Sequence, residues 1–145
     1  MSSLLVVIVI GLIGGVAAGL QGPLAGIVGK HVGILGSIFI IHLGGTLVSG
    51  LLLLVPGAGG LAGWRNVPWY ALAGGVLGLA LIGALTFCIP RIGAAAAITL
   101  IIVSQLTIAA CLDHFGLFVE SVRSFDTTRV LGLVVLFFGT WLVVR

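Results

Sequence analysis

The stretch Leu4–Val28, LLVVIVIGLIGGVAAGLQGPLAGIV, contains no charged residue, and the first charge after it is Lys30. At 1.5 Å per helical residue, about 20 apolar residues cross the ~30 Å hydrocarbon layer of a bilayer. This run is long enough to do so, with Gln21 and Pro23 as late interruptions and a kink expected at the proline. The same pattern recurs at residues 33–55, stopped by Pro56; at 68–88, closed by Pro90 and Arg91; at 93–112; and at 129–144. The expectation is an all-α integral membrane protein of five transmembrane helices in a single bundle domain. Asn66 is placed to cap the third segment, with Pro68 in its first turn, and Asp126 to cap the fifth. Trp64, Trp69, Tyr70 and Trp141 fall at segment ends, where interfacial aromatics belong.

Of the 145 residues 61% are hydrophobic and 6% charged, against about 25% charged in an ordinary soluble domain. The net charge of +3 does not point to nucleic acid, because the basic residues are scattered among segment ends. Residues Met1 to Ile10 lack Lys and Arg, so the first segment reads as a retained helix and not as a secretory leader. Cys88 and Cys111 close consecutive segments and so fall at opposite membrane faces, which leaves an internal disulfide unexpected. The glycine-rich loop Gly57–Gly63 lacks the Lys and Ser/Thr of a phosphate-binding loop. No metal-ligand spacing or nucleophile–base pattern appears, so neither an enzyme nor a cofactor or metal site is expected.

Glycine has a periodic placement. Gly11, Gly15, Gly19, Gly22, Gly26, Gly29 and Gly33 recur at steps of three or four, close to the helical period of 3.6. One face of the first helix is thereby nearly bare, and Gly74 with Gly78 repeats the motif in the third segment. Small-residue faces are how membrane helices approach one another closely.

Five spans would put the N-terminus, Arg65, Arg123 and Arg129 on one face and Lys30, Arg91 and Arg145 on the other, three basic side chains on each. Orientation follows the excess of Lys and Arg on the cytoplasmic side, and here there is none. A chain without bias can insert both ways, and two opposed copies form an antiparallel homodimer of ten helices, the inverted symmetry from which transporters build a midplane site. A single topology imposed by a partner protein, or a miscounted span, is the alternative.

Polar groups inside hydrocarbon are functional candidates by default. Gln105 lies near the middle of the fourth segment beside Ser104 and Thr107, and either lines a cavity or bonds another helix. His42 lies about ten residues into the second segment with Thr46 one turn on. It is either a neutral, satisfied histidine or one that meets substrate or proton. Gln21 precedes Pro23, near a freed backbone carbonyl. Asp113 and His114 close segment four while Arg129 opens segment five. An Asp113–Arg129 interfacial pair is the structural reading and a gate the functional one.

A first-helix glutamine, Trp69-Tyr70 followed by Gly74-Gly75 and Gly78, Pro90-Arg91-Ile92-Gly93-Ala94, Ser104-Gln105, Asp113-His114-Phe115-Gly116, and Arg129 with Gly132 and Gly139 together resemble the YdcZ-like family of the drug/metabolite transporter superfamily over nearly the full length. The resemblance implies a five-helix half-transporter unit in a bacterial inner membrane, distantly related to small multidrug resistance proteins. Two departures stand out: Ala25 occupies the place of a usual asparagine, and His42 is not typical of the family. Small multidrug resistance proteins exchange protons through a first-helix glutamate, and no acid lies between Leu4 and Val28, so a neutral or anionic solute is favoured over a cation. The expected function is alternating-access transport of a small molecule by an antiparallel homodimer, with Gln21, His42, Thr46, Ser104 and Gln105 lining the cavity. A structural or regulatory membrane subunit and a passive channel are the rival readings. The expected partners are the bilayer, a second copy and a small solute.

Overall fold

The computed structural model describes residues 2–57, 59–117 and 122–145, and every regular element among them is helical. Helix α1 covers Ser2–Leu52, a 3-10 turn Trp64–Asn66, α2 Trp69–Leu72, α3 Gly74–Ile92, α4 Ala94–Phe115 and α5 Thr127–Val144. Among the described residues four stretches are long and apolar enough to cross a membrane: Leu4–Leu52, Trp69–Ile92, Ala94–Phe115 and Thr127–Val144. Their outward side chains are apolar too; Phe39, Leu77 and Val135 are exposed by 66%, 72% and 68%, which suits a lipid solvent. Contacts divide the chain after Pro90 into two compact units.

In the first unit the expected segments one and two run together as α1, in which Gly33 departs from helical geometry at φ 77°, ψ 173°. Essentially only glycine occupies that region without strain. The helix does not continue straight: Ser37 Oγ donates to the Ala25 carbonyl at 2.9 Å, twelve residues back, whereas twelve residues of straight helix span about 18 Å. The chain therefore reverses at Gly33, and limbs 2–32 and 34–52 lie against each other. The turn is this tight because a single residue makes it, with no polar loop.

Helix α3 packs on both limbs. A Cβ added to Gly29 would collide with Thr86 Cγ2, one at Gly26 would lie 3.5 Å from Ile89, and one at Gly83 3.2 Å from Ile38. Ala25, Ser37, Ile82, Leu85 and Thr86 form the buried centre. Thr86 Oγ1 donates to the Ile82 carbonyl at 2.8 Å. A hydroxyl carries one proton, and those of Ser37 and Thr86 are both engaged on carbonyls. The 3.4 Å approach of the two oxygens is accordingly a packing contact.

The glycine face is used only in part. Gly26 and Gly78 meet side chains from elsewhere in this unit, whereas Gly11, Gly15, Gly19 and Gly74 meet nothing within 4 Å; Gly22 is buried. Two expected helix ends also differ. Asn66 lies in the 3-10 turn and Pro68 takes the N-cap position of α2. Pro90 does not close α3, which continues to Ile92. Proline's fixed φ is helical, and in a last turn its missing N–H removes a single bond.

In the second unit, Gly93 (φ 83°, ψ 161°) opens α4 and the left-handed Gly116 (φ 65°, ψ 27°) ends it. The Leu117 N–H reaches the Leu112 carbonyl at 2.9 Å, a Schellman closure. It lets the helix run to Phe115, one turn beyond the expected end at Leu112. Asp126 caps α5, accepting from the Arg129 N–H at 2.7 Å, and so the helix begins at Thr127. Helices α4 and α5 pack together, with Ala96, Ala97, Val103 and Thr140 buried.

Candidate functional site

Hydroxyls in apolar helices usually satisfy themselves by donating to the carbonyl one turn back. Thr86, Thr99, Ser104, Thr107 and Thr140 all do so, at 2.6–2.9 Å. Ser37 bonds across the reversal, and Ser49 donates to the Thr46 carbonyl at 3.1 Å. The Thr46 hydroxyl differs, having no hydrogen-bond partner among the described residues.

Thr46 and His42 line an open depression of about 400 Å³, the rest of its lining being Leu35, Ile38, Phe39 and Leu43 from α1 and Leu79 from α3, with Leu35 and Phe39 82% and 66% exposed. His42 Nδ1 lies 2.9 Å from the Ile38 carbonyl. A carbonyl can only accept, so Nδ1 bears the proton and the neutral ring presents Nε2 as an acceptor. Nε2 lies over Gly78, where a Cβ would be 3.1 Å from it, and has no partner among the described residues. His42 is the ninth residue after Gly33, about 13 Å along the second limb. An unpaired base and an unpaired hydroxyl, one turn apart, thus belong to two residues that line an otherwise apolar depression.

The other residues expected at the site lie elsewhere. Gln21 is exposed on the first limb, and Ser104 and Gln105 are exposed on α4 in the second unit. Ser104 is bonded to the Leu100 carbonyl at 2.9 Å; neither amide has a partner among the described residues. A hydrocarbon surroundings leaves these amides uncompensated.

Asp113 and Arg129 form a second polar feature. Arg129 Nη2 lies 3.5 Å from Asp113 Oδ2, with the side chains 29% and 32% exposed. Arg129 Nη1 donates to the Arg123 carbonyl at 3.0 Å, and the Arg123 N–H donates to the Asp113 carbonyl at 3.0 Å. His114 Nδ1 accepts from the Phe125 N–H at 3.2 Å, and its ring lies 5.0 Å from that of Phe125. These bonds tie the end of α4 to the start of α5. The pair borders a cleft of about 280 Å³ lined otherwise by Leu106, Ala109, Ala110, Gly132, Leu133 and Leu136. A third depression, about 430 Å³ beside Trp141, has Thr140 as its hydroxyl, engaged on the Leu136 carbonyl at 2.7 Å.

Sequence reasoning singled out His42 and Thr46 but passed over Ser37 and Thr86. A serine or threonine in a helix carries no sign of a partner 49 residues away, and the close glycine, Gly29, was the only hint.

The family model described as "Putative inner membrane exporter, YdcZ" matches residues 6–142. No match was found among curated proteins or among solved structures. Matched over almost its whole length, and built of apolar helices of spanning length, the chain belongs to the YdcZ family and is a multi-pass protein of the inner membrane.

Proposed function

We propose that this protein transports a small neutral or anionic molecule by alternating access, as an antiparallel homodimer of five-span chains. The observation that carries the reading is the depression lined by His42 and Thr46, whose Nε2 and Oγ1 have no partners among the described residues. Polar groups in an apolar span are costly unless they meet a ligand or water, and membership of a family described as "Putative inner membrane exporter, YdcZ" supports a transported solute as that ligand.

The length of α1 supports the five-span reading. A straight helix of 49 residues would be about 74 Å long, more than twice the hydrocarbon thickness, whereas the reversal at Gly33 divides it into two limbs of spanning size. Two copies follow from the surface. Gln21 and Gln105 are exposed on spanning helices, and a second copy covers them better than lipid does. The balance of three basic residues per face lets that copy be inverted. Gln21, His42, Thr46, Ser104 and Gln105 are the groups we assign to the solute path, and Asp113 with Arg129 to a gate at its end.

Purified protein in liposomes should show saturable exchange with members of a panel of small neutral and anionic solutes. Uptake that never saturates would identify a channel, and none at all a structural subunit. C-terminal reporters active on only one side of the membrane would sink the antiparallel arrangement. If both sides report, two lysines added at one end should bias insertion toward one orientation. Gln105→Leu with undiminished flux would remove that residue from the path.

A further inference from the structure

The cavity around His42 is chemically lopsided. Its lining on α1 and on α3 is apolar apart from His42 and Thr46, so no other titratable or charged group faces the ring from either helix. The sequence up to Pro90 contains no Asp or Glu at all. No acidic side chain of this unit is therefore available as a counter-charge to the ring. In the neutral state Nε2 can only accept, because Nδ1–H is held by the Ile38 carbonyl at 2.9 Å, and Thr46 is left as the one donor. Protonation at Nε2 changes this pair into two donors, one of them cationic, a helical turn apart. A carboxylate presents two acceptor oxygens and one negative charge, which answers both the hydrogen bonds and the charge. Leu35, Phe39, Leu43 and Leu79 leave the rest of the ligand an apolar wall, and the cavity volume of about 400 Å³ lies within the range of small-molecule sites.

We infer that the cavity takes an apolar monocarboxylate together with one proton, which resides on His42 Nε2 while the carboxylate bridges His42 and Thr46. The bound pair is electroneutral. In the bound pair the ring and the carboxylate each supply the charge that the other lacks. The proton is taken up from water together with the carboxylate and leaves with it, and no other bond changes. This inference rests on the reading of the cavity as the solute site.

The test uses the full chain in lipid nanodiscs and two probes of the same shape, benzoate and neutral benzamide. Benzoate stays ionised from about pH 6 to 9, the range in which a histidine proton is lost. Its affinity should fall about tenfold per pH unit once the free imidazole is deprotonated, by linkage, while benzamide affinity stays flat. Adding benzoate at alkaline pH should bring the ¹⁵N signal of Nε2 to the imidazolium position. His42→Gln should abolish the pH slope, and Thr46→Val should weaken benzoate several-fold with the slope retained. A pH-independent benzoate affinity, a slope that survives His42→Gln, or no binding of either probe overturns the inference. Flat benzoate binding with saturable flux of other solutes leaves the transporter reading standing, whereas sloped binding without any flux removes that reading and keeps the site.

Discussion

Ser37 and His42 stand five residues apart on the second limb of α1, and the molecule treats them oppositely. Ser37 is fully buried, its hydroxyl donating to the Ala25 carbonyl across the Gly33 reversal and touching Thr86 of α3. His42 is half-buried, uses one ring nitrogen on its own helix and leaves the other, over Gly78, without a partner among the described residues. The first is polar chemistry that fastens three helical pieces; the second is polar chemistry left unfinished. Polarity inside an apolar span thus does not by itself mark function. What separates the two is whether the hydrogen-bonding capacity is already used within the chain.

The sharpest way to break this contrast is at the fastened end. Gly29→Ala puts a methyl group onto Thr86 Cγ2, and overpacking of this kind costs about 1–3 kcal/mol. Thr86→Ser removes the obstructing methyl and keeps the hydroxyl that donates to Ile82. The double variant should recover most of the loss in chemical unfolding of the micelle-bound protein. A Gly29→Ala chain as stable as the parent, or one that Thr86→Ser fails to rescue, would mean that the limbs and α3 do not pack here.

Ser37→Ala comes next. It removes one hydrogen bond, about 0.6–1 kcal/mol in a membrane helix bundle, and leaves Thr86 satisfied. His42→Gln should cost less stability than Ser37→Ala, since its Nδ1 bond goes to a carbonyl of its own helix. It should nonetheless change solute binding, which Ser37→Ala should not. If stability and binding respond the other way round, the roles assigned to the two residues are reversed.

The contrast also explains what could be read from the sequence. Spans are legible because lipid demands about 20 apolar residues in a row, and the runs before and after Gly33 satisfy this whatever the turn between them looks like. That the turn is a single glycine was not legible, since Lys30 and His31 look like the start of a loop while both remain helical. His42 and Thr46 could be paired because four residues on one helix fix a shared face. Ser37 with Thr86 could not, because that contact depends on how α3 meets both limbs. Asp113 and Arg129 lie between these cases: the Schellman turn at Gly116 and the cap at Asp126 bring them to 3.5 Å, and both turns have recognisable residues.

Asp113→Asn tests that intermediate case and should have a smaller effect. The pair is one-third exposed, so its contribution is under about 1 kcal/mol and is screened by salt. Arg129 keeps its bond to the Arg123 carbonyl, and the Arg123 N–H keeps the Asp113 carbonyl. Thermal unfolding should therefore shift little, and less still at high salt. A loss as large as that of Gly29→Ala would promote this pair from an interfacial tie to a fastening of the same rank as Ser37 and Thr86.

The smallest effect belongs to Gly15, whose surroundings are the opposite of those at Gly29. Nothing lies within 4 Å of a Cβ placed there, so Gly15→Ala should leave the fold intact and raise helix stability by up to about 1 kcal/mol through propensity alone. The same bareness has a second consequence if the proposed dimer is correct, because a face without side chains admits a second helix at close range. Gly15→Leu should then weaken self-association in detergent or bilayer while secondary structure and monomer stability stay unchanged, and Gly15→Ala should weaken it less. A Gly15→Leu chain that associates as tightly as the parent would take this part of α1 out of the contact between copies, and would leave lipid as what covers the glycine face.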